Sequence, residues 1–345
     1  MTDEKEGAAP DEQAALATGG QDLAAEVHYP PVDNGLDYLV SVVDHLRGEE
    51  VGRRELKYAV VHLQAAVECL LKYRLELEHW SLVFKNPGDA KRSELDDGSL
   101  TTCTVDQTIT RLINLAGVTI SPKEDKDLKQ LASLRNQLQH YGRLHNAKVN
   151  RYVIEAKAAD VLEFLTHFVD SELLPLLAPP DGDTAESLAR IRDGLDEIRG
   201  YVAARMRRLR PHLDPVKSRT VQCLNCDQCA LVVGDKEGAY CWYCHYRRGP
   251  DDVALAYAYE VLDRTAWSAV RGELDPVYWC PVCDVEALVR RVITAADPRN
   301  PVDLCFHCGE TFSGMDECVR CGEPFAPTSG ESACDGCLHA AIAAE

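Results

Sequence analysis

The sequence predicts an all-α helical bundle followed by small four-cysteine zinc-ribbon modules, with an acidic disordered tail in front. Three observations predict this. Apolar residues recur at helical spacing between residues 31 and 178, with no convincing period-two strand among them. Thirteen of the fifteen cysteines fall after residue 222, nearly all in C-x-x-C pairs. The first thirty residues carry seven carboxylates against one lysine, many alanines and no apolar period.

Residues 1–30 cannot bury enough surface to offset chain entropy, so they read as a disordered tail. They lack the basic start and apolar run of a secretory signal. The most apolar stretch, "VLEFLTHFVDSELLPLLA", is interrupted by Glu163, His167, Asp170 and Glu172, so no membrane span is expected. Paired cysteines without an export signal read as metal ligands in a reducing compartment, and a cytoplasmic location is expected. The formal net charge of −19 excludes a molecule that grips nucleic acid with its whole surface; phosphate contact needs a local basic cluster.

The helical bundle is expected over residues 31–178. Leu36, Leu39, Val40, Val43 and Leu46 give a first helix over 33–47. A long helix without Gly or Pro follows over 53–84, and "NPGDA" ends it. A third begins at a cap-like Thr104 or Asp106 and stops at Gly117. The fourth opens with Ser121 as N-cap, Pro122 at N1 and Glu124 at the third position after the cap, and ends at Gly142. A fifth spans about 149–177. Residues 179–220 are expected as a linker helix with a basic end, because "RGYVAARMRRLRPHLDPVKSR" holds seven Arg or Lys against one Asp. That strip reads either as a solvated linker or as a phosphate-contacting surface beside the bundle.

Residues 221–345 read as tandem zinc ribbons. Units beginning at Cys223 and Cys280 share C-x-x-C-D-x-x-A-L-V, and Cys229 falls opposite Glu286, outside the repeated ligand set. The first site is therefore Cys223, Cys226, Cys241 and Cys244. The second is Cys280, Cys283, Cys305 and Cys308, and the third is Cys318, Cys321, Cys334 and Cys337. An alternative pairs Cys305 and Cys308 with Cys318 and Cys321. "CGEPF" after the third site's first cysteine pair echoes "CGETF" at Cys308. About three structural Zn²⁺ ions are expected, since four thiolates around tetrahedral zinc supply folding energy to modules without a core. From residue 220 onward there are nine Arg or Lys against twenty Asp or Glu, which disfavours phosphate binding and favours a protein partner or simple structural closure. Trp242, Tyr243, Tyr246, Tyr278 and Trp279 flank the ligands and should mostly pack the ribbons. Between the first two sites, "PDDVALAYAYEVLDRTAWSAV" is expected as an inserted helix.

The stretch "LASLRNQLQHYG" over 131–142 carries the candidate chemistry. On an α-helix Asn136 and His140 share one face, with Arg135 about 100° to the side. RNA cleavage without a metal needs a proton acceptor for the 2′-hydroxyl, a donor for the leaving 5′-oxygen, and a cation on the phosphoryl oxygens. Histidine suits the proton transfers and arginine the anion. One helix supplies one histidine, so a two-fold dimer would complete the set. "LRNQLQHYG" resembles the R-x(4–6)-H motif of the HEPN superfamily. The resemblance extends to "LKYAVVHLQAAVECLLKYRLELEHWSLVF", where Glu68 and Lys72 match an E-x-x-x-K core, and it covers roughly residues 33 to 177. It implies a homodimeric helical bundle and a metal-independent endoribonuclease of toxin–antitoxin, phage-defence or RNA-processing systems. Arg135 and His140 would be catalytic, Asn136 supporting, RNA the substrate and no cofactor needed for catalysis. Some HEPN domains are silent scaffolds, so a non-catalytic dimer whose ribbons recruit a protein partner is the other expectation.

Overall fold

The structure, a computed structural model, describes residues 29–48, 50–141, 150–180, 182–235, 237–263, 277–322, 324–325, 327 and 331–342. The expected tail and Gly142 lie outside the described residues, apart from Tyr29 and Pro30. Helices α1 (Pro31–Leu46) and α2 (Arg53–Glu78) form the closest-packed pair. Leu36, Leu39, Leu63, Leu70 and Leu71 are at most 1% exposed between them and their neighbours. Each such side chain contributes about 1.5–3 kcal/mol of burial. The expected continuation of α2 to residue 84 is replaced by an extended His79 and a 3₁₀ turn over Trp80–Val83. The cause is local: the His79 ring accepts from the Ser81 backbone N–H at 3.3 Å and caps the new turn.

A short α3 (Arg92–Asp96) precedes α4 (Val105–Leu115), which starts from a capping box formed by Thr104 and Gln107. In α5 (Pro122–Asn136) the cap is Ser121, paired reciprocally with Glu124, as the sequence pattern requires. The helix then widens into a π turn over Gln137–Tyr141. Helix α6 (Arg151–Phe168) is capped by Asn150 and also ends in a π segment, Val169–Leu173.

Residues 179–220 depart from the expected linker. They form α7 (Gly182–Leu195) and α8 (Arg199–Leu213), and both lie on the bundle, α7 against α1 and α8 against α6. The break contains no helix breaker, so packing imposes it. Gly194 sits where a Cβ would meet Val43 at 2.3 Å, and Gly200 where one would meet the Ala159 Cβ at 2.9 Å. Two close approaches to two different helices demand a change of direction between them. Leu188, Ile191, Leu195, Ile198, Tyr201 and Leu209 are buried as a result.

The strand-rich end begins with β1 (Thr220–Gln222), β2 (Cys229–Val232), β3 (Ala239–Cys241) and β4 (Arg247–Arg248) in one antiparallel sheet of order 1-2-3-4. Helix α9 (Pro250–Glu260) follows, matching the first half of the expected inserted helix; residues 264–276 lie outside the described residues. A second sheet repeats the topology with β5 (Val277–Trp279), β6 (Glu286–Thr294), β7 (Asp297–Cys305) and β8 (Thr311–Phe312). Both repeats carry a register irregularity at the same place, Val221/Gln222 and Tyr278/Trp279. A small pair, β9 (Asp316–Glu317) with β10 (Pro324–Phe325), and α10 (Asp335–Ile342) complete the fold. The β6–β7 turn donates from Ala295 and Ala296 to the carbonyls of Thr220 and Lys217, and one continuous buried core joins helices and ribbons. No described helix is long and apolar enough to cross a membrane.

Candidate functional site

The cysteine pairs sit on turns whose geometry is local. After Cys226, Cys244, Cys283, Cys308 and Cys321 the next residue is left-handed: Asp227 (φ 60°), His245 (62°), Asp284 (54°), Gly309 (77°) and Gly322 (76°). Each donates its N–H to the carbonyl of the first cysteine of its pair, at 2.8–3.1 Å. Gly adopts this region freely, and Asp and His are among the side chains that tolerate it best. The sixth pair, Cys334 and Cys337, runs into α10, with Leu338 N–H bonded to Cys334 at 3.0 Å.

These turns face one another and gather the sulfurs into three groups of four: Cys223, Cys226, Cys241 and Cys244; Cys280, Cys283, Cys305 and Cys308; Cys318, Cys321, Cys334 and Cys337. Within each group the ligand atoms lie within 4.8 Å of one another. Cys305 and Cys308 therefore join Cys280 and Cys283, not Cys318 and Cys321. A tetrahedral ion with Zn–S bonds of about 2.3 Å requires S···S edges of about 3.8 Å. The Cys223–Cys244 and Cys226–Cys241 distances are 3.8 Å, Cys280–Cys308 is 3.8 Å, and Cys283–Cys305 and Cys321–Cys334 are 3.7 Å. The donor set fits structural zinc. Hydrogen bonding among the first four thiols, led by the Cys223–Cys226 pair, draws Cys223 down to about 7 and pushes Cys226 far up. Four thiolates this close need a cation among them. Cys229 stands apart, its Sγ 3.9 Å from the Thr220 carbonyl, and His307 is no part of the second group.

The second candidate site lies at the end of α5. Arg135 donates from Nη1 to Asn136 Oδ1 at 3.0 Å, and its Nη2 stands 3.9 Å from Glu68 Oε1 on α2. Glu68 is also 3.9 Å from Lys72, whose Nζ donates to Thr102 at 3.0 Å. Arg135 and Asn136 line an open cleft of about 540 Å³ with Gln64, Glu68, Asp106 and Lys129. Gln64 is 2% exposed, and its side-chain oxygen is buried without a hydrogen-bond partner. His140 is exposed and is not among the residues lining the cleft. The π turn alters the expected register. Five residues rather than four close a π turn, so the backbone at His140 comes back toward the line of Arg135 instead of Asn136. Such turns recur at functional sites.

Part of the basic strip of α8 is turned onto the bundle, while Arg199, Arg210 and Lys217 are exposed. Arg208 Nε binds both oxygens of Glu163 on α6 at 2.7 and 2.8 Å, and its Nη2 reaches Glu124 at 2.7 Å. Arg205 is 3.7 Å from Glu163, Arg207 pairs with Asp160 at 2.9 Å, and Arg219 donates to the carbonyls of Val233 and Gly234. Arg205, Arg207 and Arg208, expected to face solvent or phosphate, instead bind helix α8 to α5 and α6.

Cys69 and Cys103 stand apart from the three four-sulfur groups. Burial pushes the Cys69 thiol up, and Cys103, 1% exposed, lies 3.1 Å from Thr108 Oγ1. His62 bonds Ser41 at 2.7 Å, and Trp80 packs between His79 and Phe84. Sequence reasoning missed Gln64, a polar residue on the buried face of α2. It also missed His212 and Tyr240, which join Trp242 in an aromatic cluster; the available signal was an aromatic residue on each side of Cys241. No protein-family model, curated protein or solved structure matches the chain.

Proposed function

We propose that this protein is a metal-independent endoribonuclease of the HEPN type, acting as a homodimer, with three zinc ions that hold its ribbons together. The observation that supports this reading is the cleft at the end of α5. It presents a guanidinium held only at 3.9 Å by its carboxylate, beside a buried amide oxygen with no donor. A ribonucleotide supplies a closer anionic partner, a phosphate, for Arg135.

In this mechanism His140 removes the proton of the 2′-hydroxyl, whose oxygen attacks phosphorus as the bond to the 5′-oxygen breaks. The leaving oxygen takes a proton from water or from the second protomer's copy of the same histidine. The products carry 2′,3′-cyclic phosphate and 5′-hydroxyl ends. Arg135 stabilises the charge gathering on the phosphoryl oxygens, and Asn136, bonded to Arg135, orients the guanidinium. Proton transfer by a positioned histidine is worth about 10²–10⁴ in rate.

The test is a digest of total cellular RNA by wild type, Arg135→Ala and His140→Ala without added divalent metal, with zinc content measured in each sample. Cleavage by wild type alone, with cyclic phosphate ends, is expected. Equal products from wild type and both variants would refute the assignment. A second reading has its own observation: the Arg135–Glu68 contact is also what a silent bundle would show, and the ribbons would then recruit a protein partner. Absence of cleavage by a dimeric, zinc-loaded wild type would favour it.

A further inference from the structure

The two ribbons repeat one fold, yet one set of positions differs in character. With Cys241 placed on Cys305, Tyr240 corresponds to Leu304, Trp242 to Phe306 and Arg247 to Thr311. Leu304 and Phe306 are 0% exposed, and α9 covers Phe306 through Tyr257, ring centroids 4.9 Å apart. Tyr240 and Trp242 are only half-buried. Trp242 is faced by His212, an exposed residue at the end of α8, at 4.8 Å and 11° from parallel. Tyr240 meets Trp242 edge-on at 5.5 Å, and the Arg247 guanidinium lies 4.7 Å over the Tyr240 ring. The Tyr240 hydroxyl is fixed 2.6 Å from His245 Nδ1. Four planar groups thus form a ladder along a groove of about 380 Å³.

The charges beside this ladder are unlike those of the rest of the ribbon. Arg247 has no carboxylate within ion-pair distance among the described residues, and Arg219 meets only carbonyl oxygens. Arg248 pairs with Glu260 at 3.5 Å, while Asp235 and Glu237 stand at the groove edge. Two uncompensated arginines in a chain of net charge −19 cannot hold the dense phosphates of a duplex. They can guide a single strand whose bases supply most of the affinity by stacking.

We infer that the first ribbon and the end of α8 form a stacking platform for unpaired bases of single-stranded RNA. A base extends the His212–Trp242 stack, while Arg247 and Arg219 meet flanking phosphates. The choice of RNA rests on the ribonuclease reading above; the stacking geometry does not.

The experiment measures binding of a fluorescent single-stranded RNA 12-mer by the full-length, zinc-loaded protein in a His140→Ala background, which prevents cleavage. Adding Tyr240→Leu and Arg247→Ser is expected to weaken binding about tenfold or more at unchanged zinc content and melting temperature. The log–log salt slope should be shallow, about −1.4 for two phosphates. Bound RNA should quench tryptophan emission, and Trp242→Phe should abolish the quenching. Equal affinity for a duplex, or unchanged RNA affinity in the double variant, overturns the platform. Equal affinity for single-stranded DNA supports the platform. Loss of binding in the double variant together with an inactive wild type keeps the platform and removes the ribonuclease reading.

Discussion

Arg208→Met tests what the arginines of α8 do. Glu163 is 4% exposed, and its two oxygens receive Arg208 at 2.7 and 2.8 Å, with Arg205 more distant at 3.7 Å. Burial pushes the Glu163 carboxyl above its ordinary value even with both guanidinia beside it. Breaking a buried pair by removing one partner costs about 3–5 kcal/mol, because the other charge is left stranded. The Arg208 side chain keeps 29% of its exposure and Arg205 remains, so the low end, about 3 kcal/mol, is expected. That corresponds to a fall in melting temperature of roughly 6 °C at about 2 °C per kcal/mol. Adding Glu163→Gln removes the stranded charge and should recover at least about half of the loss. The deficit of Arg208→Met should also shrink as pH falls from 7 toward 5. A carboxyl with a raised folded pKa binds its proton more tightly in the native state, so acid favours that state until both forms are protonated. Urea midpoints at the two pH values for wild type, both single variants and the double give the answer. A loss under about 0.5 kcal/mol, or a deficit independent of pH, would refute the structural role.

Three further outcomes are expected. Native mass spectrometry should count three zinc ions per chain, two in Cys226→Ser and three in Cys229→Ser, since only Cys226 lies in a four-sulfur group. Gly234→Ala should destabilise by about 3 kcal/mol, combining left-handed backbone strain with overpacking. Its φ is +78° and its Cβ would stand 2.2 Å from the Gly309 Cα, backbone against backbone between the two ribbons. Gly88→Ala, with nothing within 4 Å of the new atom, should stay within about 0.5 kcal/mol in the same thermal melts. Burial alone would raise the Asp127 carboxyl, but hydrogen bonds from Lys123 at 2.7 Å and Lys157 at 2.8 Å hold it below its ordinary value. Its stabilisation should be complete above about pH 4 and lost as pH falls through the lowered value; Asp127→Asn should flatten that stretch of the stability curve.

Helix positions were legible where the controlling contacts lie within a turn. Ser121, Pro122 and Glu124 specify the start of α5, and the capping box forms there as written. The three cysteine groups were legible for the same reason. Each C-x-x-C carries its own closing hydrogen bond, five of the six also carry their own left-handed residue, and the C-x-x-C-D-x-x-A-L-V repeat separates Cys229 from the ligands. Arg135 and Asn136 were legible as candidates, but the cleft they line was not. Gln64 and Glu68 reach it from a helix some seventy residues earlier in the chain. The end of α2 at Glu78 and the π turn that contains His140 were missed, because helical periodicity alone does not mark a cap made by a histidine ring or a widened turn.

By itself the sequence determined a helical segment ahead of a strand-rich end, the cap of α5, and three sets of four sulfurs. All of these depend on contacts between near neighbours, or on a ligand chemistry with few alternatives. Tertiary structure alone decided the use of the charges and rings on α8. Arg205, Arg207 and Arg208 read as a free basic strip until α6 presents Glu163 and Asp160 to them. His212 reads as an ordinary surface histidine until the first ribbon lays Trp242 against it. A charge or a ring acquires its role from the partner that faces it, and these partners lie thirty or more residues away along the chain.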